Sequence, residues 1–321
     1  MEIGSFIELD LHKTGEHYDG NNVVRLNSGR AGILHALRVL GVNAVYIPYY
    51  QCPSVAAFLT AHDVEVRKYF LTEKFEPVLS DIDYAAAVLI VNYFGVISSQ
   101  KIELWANQFK NVIIDNSQAF FNKPLKNHLN VYSPRKFFGV PDGSYVIGDK
   151  VEKSEVNYPI DTSSYTAGFL FKRIEKGCNA AYAERMMNEE RINNSDVLQM
   201  SKLTTELLKS VDYKYIVDRR MANFKVAHAL LGSINKLHFS EFMDEECVPM
   251  VYPLVLEKED MVKILTENHI YTGRWWNHVL TEVPSDSFES CLSRYMIPVP
   301  IDQRYDDSTL SEISRVILNS L

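Results

Sequence analysis

The sequence has few cysteines and no closely spaced pair of them. The four are Cys52, Cys178, Cys247 and Cys291. Zinc sites and disulfide frameworks use thiols at short, regular spacing, so this pattern predicts neither of them and no metal centre. Isolated thiols are typical of proteins from a reducing compartment, and we expect a cytoplasmic location.

Long apolar runs and an excess of positive charge are also missing. No run approaches the ~18 apolar residues of a membrane span. The opening stretch, MEIGSFIELDLHKTGEHYDG, carries charges where a signal peptide would be apolar. The net charge of −8 argues against a general nucleic-acid binder, because such proteins have a basic face. We therefore expect small-molecule partners, with no nucleic acid and no membrane among them.

Length and patterning predict two domains. Single hydrophobic cores stop growing near ~250–300 residues. This chain has 321 residues, 46% of them hydrophobic, which is typical of a soluble globular protein. No Gly/Ser-rich linker separates the parts. We place a large domain in residues 1–220 and a smaller α+β domain in residues 221–321.

Helical and strand patterns alternate through residues 27–110. SGRAGILHALRVLG has apolar residues at helical spacing between a candidate N-cap, Ser28, and a terminating glycine. AAAVLIVNYFG and NVIIDNSQAFF contain continuous apolar runs, the pattern of strands buried on both faces. The alternation predicts an α/β fold with a central, mostly parallel sheet. Ligands gather at the carboxyl ends of such strands, where Asn92, Asp115 and Gln118 lie.

Asp115 is the first candidate for chemistry. One interpretation is a strand-ending aspartate that caps the next turn, and the other is a functional acid. A buried carboxylate stays ionised beside a cation or a strong donor, which a protonated pyridine nitrogen or an arginine would supply. Gln118, three residues further on, would project from the same turn and donate to a neighbouring oxygen.

Lys136 is the second candidate, in VYSPRKFFGVPDGSYVI. A free lysine titrates near ~10.4 and is a poor nucleophile at neutral pH. Packing against Phe137 and Phe138 would lower its pKa, and a lowered lysine suits Schiff-base chemistry. The alternative is an ordinary surface charge that forms a pair with Arg135.

The third candidate is the NSGRAG turn that opens a predicted helix. Free backbone N–H groups and the positive end of the helix dipole suit a phosphate, and Arg30 adds a cation. Ser133 would add a hydroxyl donor. A phosphate cradle, an acid for a ring nitrogen and a lysine amine together form the set of contacts that pyridoxal 5′-phosphate (PLP) needs.

The same segments resemble, in order and spacing, the DegT/DnrJ/EryC1/StrS family of sugar aminotransferases, which are PLP enzymes of fold type I. The resemblance runs from LNSGRAGILHALRVLG through VYIPYYQCPSV, LIVNYFGV and IIDNSQAF to YSPRKFFGVPDGSYVI, and includes NHIYTGRWWNHV and MIPVPIDQRYDD. It implies a large PLP-binding domain with a mostly parallel sheet, a smaller C-terminal α+β domain, and a homodimer.

The resemblance also assigns roles by position. Lys136 becomes the Schiff-base lysine and the proton carrier, Asp115 the partner of the pyridine nitrogen, and Gln118 the contact to the 3′ oxygen of the ring. The phosphate contacts would be the backbone amides of Gly29, Arg30 and Ala31 and the hydroxyl of Ser133.

The chain departs from the family pattern around the cofactor ring. The aromatic residue that stacks on the ring falls near Cys52, so that Tyr49 or Tyr50 would take this role or the ring would be less enclosed. The spacing from Ser133 to Lys136 is two residues shorter than usual. The asparagine–arginine segment that reaches the partner subunit's cofactor has no counterpart in NNSDVLQMSK.

Substrate contacts are less clearly marked. Asn92 and Tyr93 are candidates at the site, and Arg274 and Trp275, followed by Trp276, suit sugar and diphosphate groups. The last three residues serve equally well as packing in the small domain. The DRR sequence at residues 218–220 is expected on a solvated helix face.

The resemblance implies a PLP-dependent aminotransferase that moves an amino group from glutamate or glutamine to a keto sugar. The sugar would be nucleotide-linked and would serve polysaccharide or antigen biosynthesis. Two alternatives stay open: a PLP enzyme acting on a non-sugar carbonyl substrate, and a protein that retains the fold without turnover and binds or regulates a partner.

Overall fold

The fold is built around one large sheet. The computed structural model describes residues 3–149, 151 and 157–321. The strands are β1 (Val23–Leu26), β2 (Ala44–Pro48), β3 (Glu65–Leu71), β4 (Pro77–Val78), β5 (Ala87–Val91), β6 (Val112–Asn116), β7 (Leu129–Tyr132), β8 (Ser144–Ile147), β9 (Tyr252–Val255) and β10 (Met296–Val299). The first eight form one sheet in the order β1-β8-β7-β6-β5-β2-β3-β4, and β9 pairs with β10 in a second, antiparallel sheet.

The large sheet is mostly parallel, as predicted. Strands β3, β2, β5, β6 and β7 run in one direction. β8 is antiparallel to both of its neighbours, and β4 is antiparallel to β3. β5 and β6 are buried along their whole lengths, because the sheet is covered on both faces.

Helices cover both faces of the sheet and form much of the C-terminal part. They are α1 (Gly29–Leu40), α2 (Pro53–Thr60), α3 (Ser99–Ala106), α4 (Gly168–Asn193), α5 (Lys202–Leu208), α6 (Tyr213–Leu231), α7 (Met261–Glu267), α8 (Phe288–Tyr295) and α9 (Asp307–Asn319). α4 is interrupted at Gly177, where φ is 79° and ψ is 179°. No helix in the described part of the chain has the length and apolarity of a transmembrane span.

Helix α1 begins and ends where the sequence predicts. The Ser28 hydroxyl accepts a hydrogen bond from the Ala31 N–H at 3.3 Å, and Gly41 ends the helix in the left-handed conformation, with φ 70°. A Cβ on Gly32 would lie 2.8 Å from the side chain of Val131 on β7. Only glycine allows α1 to pack this closely on the sheet.

The C-terminal part packs against one face of the large sheet. Its apolar core is continuous with the core of that face: Trp105 of α3 belongs to the same cluster as Leu254 of β9 and Ile317 of α9. α6 runs unbroken through residue 220, where the sequence places the domain boundary. The division into two domains stays a prediction.

The expectation of a solvated face at residues 218–220 is wrong for Arg220. Asp218 is exposed, but Arg220 is only 1% exposed. A helix turns about 100° per residue, so three consecutive side chains cannot share one face.

Candidate active site

Asp115 lies near the end of β6, in register with Val91 of β5 and Val131 of β7. It is 4% exposed, and both carboxylate oxygens accept hydrogen bonds. Oδ1 accepts from the Ser117 backbone N–H at 2.9 Å, and Oδ2 accepts from Gln51 Nε2 at 3.2 Å. The buried carboxylate is therefore held in a fixed orientation.

Lys136 lies on a short turn, Pro134–Lys136, directly after β7. The side chain is exposed to solvent in the single chain. Neighbouring protein groups still displace part of the water around the amine, which lowers the pKa of Lys136 because it penalises the ammonium. The Asp115 carboxylate opposes the lowering, which shows that the acid and the amine share one electrostatic environment.

The N-terminus of α1 meets two serine side chains. A Cβ on Gly29 would lie 3.1 Å from Ser117 Oγ and 3.9 Å from Ser133 Cβ. Within the described residues, the Gly29 and Arg30 N–H groups make no hydrogen bond, as is usual in the first turn of a helix. The Ala31 N–H instead donates to Ser28 Oγ, so this predicted phosphate donor is already engaged.

The side chain of Arg30 does not face this turn, which corrects its predicted role as a phosphate-binding cation. Its guanidinium donates to Asn193 Oδ1 at 2.6 Å and to the Ile192 carbonyl at the end of α4, and it lies 5.3 Å from the centre of the Phe58 ring. A cation at a helix C-terminus is favoured by the dipole. Arg30 therefore keeps only its backbone amide as a phosphate donor.

Gln118 is 2% exposed, and one end of its side-chain amide is hydrogen-bonded. Its Oε1 accepts from the Phe94 N–H at 2.9 Å, while its Nε2 makes no hydrogen bond within 3–149, 151 and 157–321. Phe94 is left-handed, with φ 58°, and Gly95 follows with φ 71°. This tight turn leaves the Gln118 amide nitrogen available as a donor.

Tyr50 and Cys52, two of the predicted contacts to the cofactor ring, lie in different environments. Tyr50 is fully buried, with its ring 4.5 Å from that of Trp276, so it belongs to the core and is not a stacking residue. The Tyr49 ring packs against Phe70 at 4.6 Å. Cys52 precedes α2, is partly exposed, and acts electrostatically on Lys136. Cys52 as a cofactor contact stays a prediction.

Asn92 and Tyr93, the predicted substrate contacts that follow β5, are buried. Asn92 is 1% exposed and donates to Asn116 Oδ1 at 3.4 Å. The Tyr93 hydroxyl donates to the Tyr50 carbonyl at 2.6 Å. Neither side chain is exposed as a substrate contact, although Asn92 Oδ1 has no hydrogen-bond partner among the described residues.

The second pair of predicted substrate residues also packs internally. Arg274 donates to the carbonyls of Lys258 and Glu259, at 3.1 and 2.7 Å. The Trp275 ring lies 5.6 Å from that of Phe94. For Arg274 and Trp275 the packing interpretation therefore describes the structure.

Two residues of the site were missed by the sequence interpretation. Gln51 orients Asp115, and Ser117 supplies both a backbone donor to Asp115 and a hydroxyl beside Gly29. The chain order offered a signal only for Ser117, which follows Asp115 by two residues. The Gln51 contact joins residues 64 apart in sequence.

Within the described residues, no group of three or more metal-ligating side chains occurs. The large, mostly parallel sheet in this strand order, with helices on both faces, has the fold of the PLP-dependent transferases of fold type I.

Solved structures share this fold over nearly the whole chain. Sugar aminotransferase CalS13 from Micromonospora echinospora matches with a TM-score of 0.68 and 14% identity, covering 94% of this chain and 88% of that one. Spr1654 from Streptococcus pneumoniae, assigned as a sugar aminotransferase and solved in its PMP form, has a TM-score of 0.64 and 13% identity over 92% and 86%. A DegT DnrJ EryC1 StrS aminotransferase from Brucella abortus has a TM-score of 0.59 and 15% identity over 92% and 85%.

No protein-family model and no curated protein matches the sequence. The similarity to the solved structures establishes the fold.

Proposed function

We propose that this protein is a cytoplasmic, PLP-dependent aminotransferase that transfers an amino group from glutamate or glutamine to a nucleotide-linked keto sugar. The observation that carries the proposal is that Lys136 lies on the turn after β7, beside the strand end that holds Asp115, and that the Asp115 carboxylate acts on the pKa of the lysine. An amine and an acid arranged in this way suit the carbonyl and ring-nitrogen ends of PLP. The sugar acceptor is supported by the sugar aminotransferases that share the fold.

The residues present fit PLP. A side chain at Gly29 would fill the space beside Ser117 Oγ, and the Gly29 and Arg30 amides point into the same turn. Within the described chain, Ser133 Oγ also makes no hydrogen bond, although the residue is 6% exposed. Unpaired donors at a helix N-terminus suit a phosphate dianion.

When bound, PLP supplies an electron-withdrawing ring that stabilises negative charge on the carbon beside the substrate nitrogen. The Asp115 carboxylate would hold the proton on the ring nitrogen, oriented by the two donors at its oxygens. The Gln118 amide would donate to the 3′ oxygen of the ring. Lys136 would hold the aldehyde end of PLP through Nζ, and when a substrate amine takes that place the freed Nζ would carry the proton of the substrate carbon.

The test begins with the cofactor. Adding PLP to the purified protein should produce near-visible absorbance, and borohydride should then fix a pyridoxyl group on Lys136, as read by peptide mass spectrometry. The Lys136→Ala protein is the matched control and should carry no label at this position. A protein that stays colourless and unlabelled in excess PLP would overturn the cofactor assignment.

The substrate is tested separately on the PLP-loaded protein. Glutamate and glutamine are compared as donors, and nucleotide-linked keto sugars are compared with simple keto acids as acceptors. Preferential turnover of the keto sugars would support the proposal, whereas faster turnover of a non-sugar carbonyl would favour a different substrate for the same site.

A second candidate function is binding or regulation without turnover. The thiol of Cys52 at the predicted stacking position favours it, because a small side chain encloses the ring less than an aromatic one does. PLP binding with no turnover of any donor would support this candidate.

We also propose a homodimer. Lys136 is exposed to solvent in the single chain, and a partner subunit would cover this side chain. Sedimentation of the PLP-loaded protein tests this, and a monomer at concentrations that sustain full activity would contradict it.

A further inference from the structure

Arg220 is a buried charge with no part in the proposed reaction. It lies within α6, is 1% exposed, and its guanidinium lies 4.6 Å from the centre of the Phe137 ring. A buried cation is unfavourable unless its donors are paired, so the positions of those partners are informative.

The guanidinium of Arg220 binds two segments of the C-terminal part. Nη1 donates to the carbonyls of Pro249 and Met250, at 3.2 and 2.8 Å. Nε donates to Gln303 Oε1 at 3.1 Å. Arg220 therefore ties α6 to the loop before β9 and to the loop after β10.

Gln303 continues these contacts to the lysine turn. Its Nε2 donates to the carbonyl of Phe137 at 2.9 Å, and Phe137 directly follows Lys136. The aromatic ring of Phe137 is held by Arg220 and its carbonyl by Gln303. The residue after the candidate catalytic lysine is thus held at two points.

Met250 extends these contacts to the opposite side of the site, which consists of residues 94–96 and Gln118 and is called the Gln118 wall. Its N–H donates to the Phe94 carbonyl at 2.7 Å, and the Phe94 N–H donates to Gln118 Oε1 at 2.9 Å. A Cβ on Gly95 would lie 2.8 Å from the backbone carbonyls of Gln118 and Val248, so only glycine allows these segments to pack this closely.

We propose that Arg220 and Gln303 are positioning residues that fix the Lys136 turn relative to the Gln118 wall. The segment 248–250 and the side chain of Gln303 are the bridge between them. The coupling is a property of the chain itself and exists without a ligand. Its consequence for catalysis rests on the proposed function.

Amide hydrogen exchange of the full-length protein without cofactor tests the coupling. In Arg220→Met, the backbone N–H groups of residues 94–96, 135–138, Val248 and Met250 should exchange about tenfold faster, because Arg220 contacts the 248–250 segment and Phe137 directly and reaches residues 94–96 through Met250. Amides of β5 and β6 should keep their wild-type rates. A uniform increase over the whole chain, or no increase in these segments, would overturn the proposal.

Arg219→Met is the matched control. Arg219 precedes Arg220 on α6 and donates to the Tyr305 carbonyl at 2.8 Å, and among the described residues it makes no hydrogen bond to segments 134–138 or 248–250. This variant should leave exchange at residues 94–96 and 135–138 unchanged. A response equal to that of Arg220→Met would contradict a specific role for Arg220.

Gln303→Glu tests the Gln303 contact to the Lys136 turn separately from the contacts of the 248–250 segment. A carboxylate still accepts from Arg220 Nε but has no proton for the Phe137 carbonyl. Exchange should rise at residues 135–138 only, and the pH profile of Lys136 acylation should move to higher pH, because the new carboxylate favours the ammonium. Wild-type behaviour in both measurements would show that Gln303 does not position the turn. Because no cofactor is present, these results are independent of whether PLP binds.

Discussion

The Asp115 side and the Lys136 side of the candidate site are built differently. Asp115 ends a buried strand, and donors from Gln51 and Ser117 bind both of its oxygens. Lys136 lies on a turn open to solvent, and its Nζ makes no hydrogen bond to any described residue. An acid that keeps a ring nitrogen protonated must stay fixed, whereas an amine that carries a proton must move.

The two sides also depend on different parts of the chain. The partners of Asp115 come from the loop after β2 and from its own strand end, within the predicted large domain. The Lys136 turn is braced through Phe137 by Gln303, which follows β10. A change in the C-terminal part is therefore expected to affect the amine before it affects the acid.

Removing the amine should have the largest effect. We expect Lys136→Ala to lower kcat by roughly a thousandfold or more, since the proton carrier is lost. The variant should still bind PLP through the α1 turn, as measured by equilibrium dialysis. Activity within tenfold of wild type would remove Lys136 from the mechanism.

Removing the charge of the acid comes second. We expect Asp115→Asn to lower kcat by roughly a hundredfold, because a neutral amide no longer stabilises a protonated ring nitrogen. Borohydride should still label Lys136, so the two sides separate: amine chemistry survives and turnover fails. Wild-type rates in single-turnover kinetics would refute the assigned role of Asp115.

Filling the phosphate cradle should have a smaller effect. We expect Gly29→Ala to raise the Kd for PLP about tenfold, because the new methyl group would lie 3.1 Å from Ser117 Oγ. Gly273→Ala is the control, since a Cβ there meets no atom within 4 Å. Equal PLP affinity in both variants, by fluorescence titration, would show that the phosphate binds elsewhere.

The pKa of Lys136 should give the smallest and most direct readout of the comparison. Since the displacement of water by neighbouring protein groups lowers the pKa of this amine, its acylation rate in the apo-protein should reach half its maximum below pH 10.5, whereas Lys214, whose pKa is raised by Asp218, should titrate above it. The Asp115 carboxylate favours the ammonium, so Asp115→Asn should move the Lys136 profile to still lower pH. A shift to higher pH in that variant would contradict the shared electrostatic environment.

Local features were predictable because their causes lie within a few residues. The Ser28 cap, the Gly41 stop and the buried runs of β5 and β6 follow from side-chain chemistry and periodicity. The alternation of these elements was sufficient to predict the mostly parallel sheet. Asp115 and Gln118 could be placed at its carboxyl edge for the same reason.

Features that depend on distant partners were not predictable. The sequence predicts Arg30 as a cation for phosphate. It does not reveal the actual partner, the end of α4, because that segment lies more than 160 residues away. Tyr50 appeared able to stack on a ring, but the core around Trp276 encloses it. Arg220 appeared solvated, and only the folded chain shows that Pro249, Met250 and Gln303 surround it.

The amino-acid order alone therefore determined which elements form and which groups can do chemistry, since capping, periodicity and residue type act at short range. Tertiary structure decided which of those groups meet and which are used up in packing. The physical reason is that a polar side chain binds whichever partner the fold brings to it, and for Arg30, Gln51 and Arg220 those partners are distant in sequence.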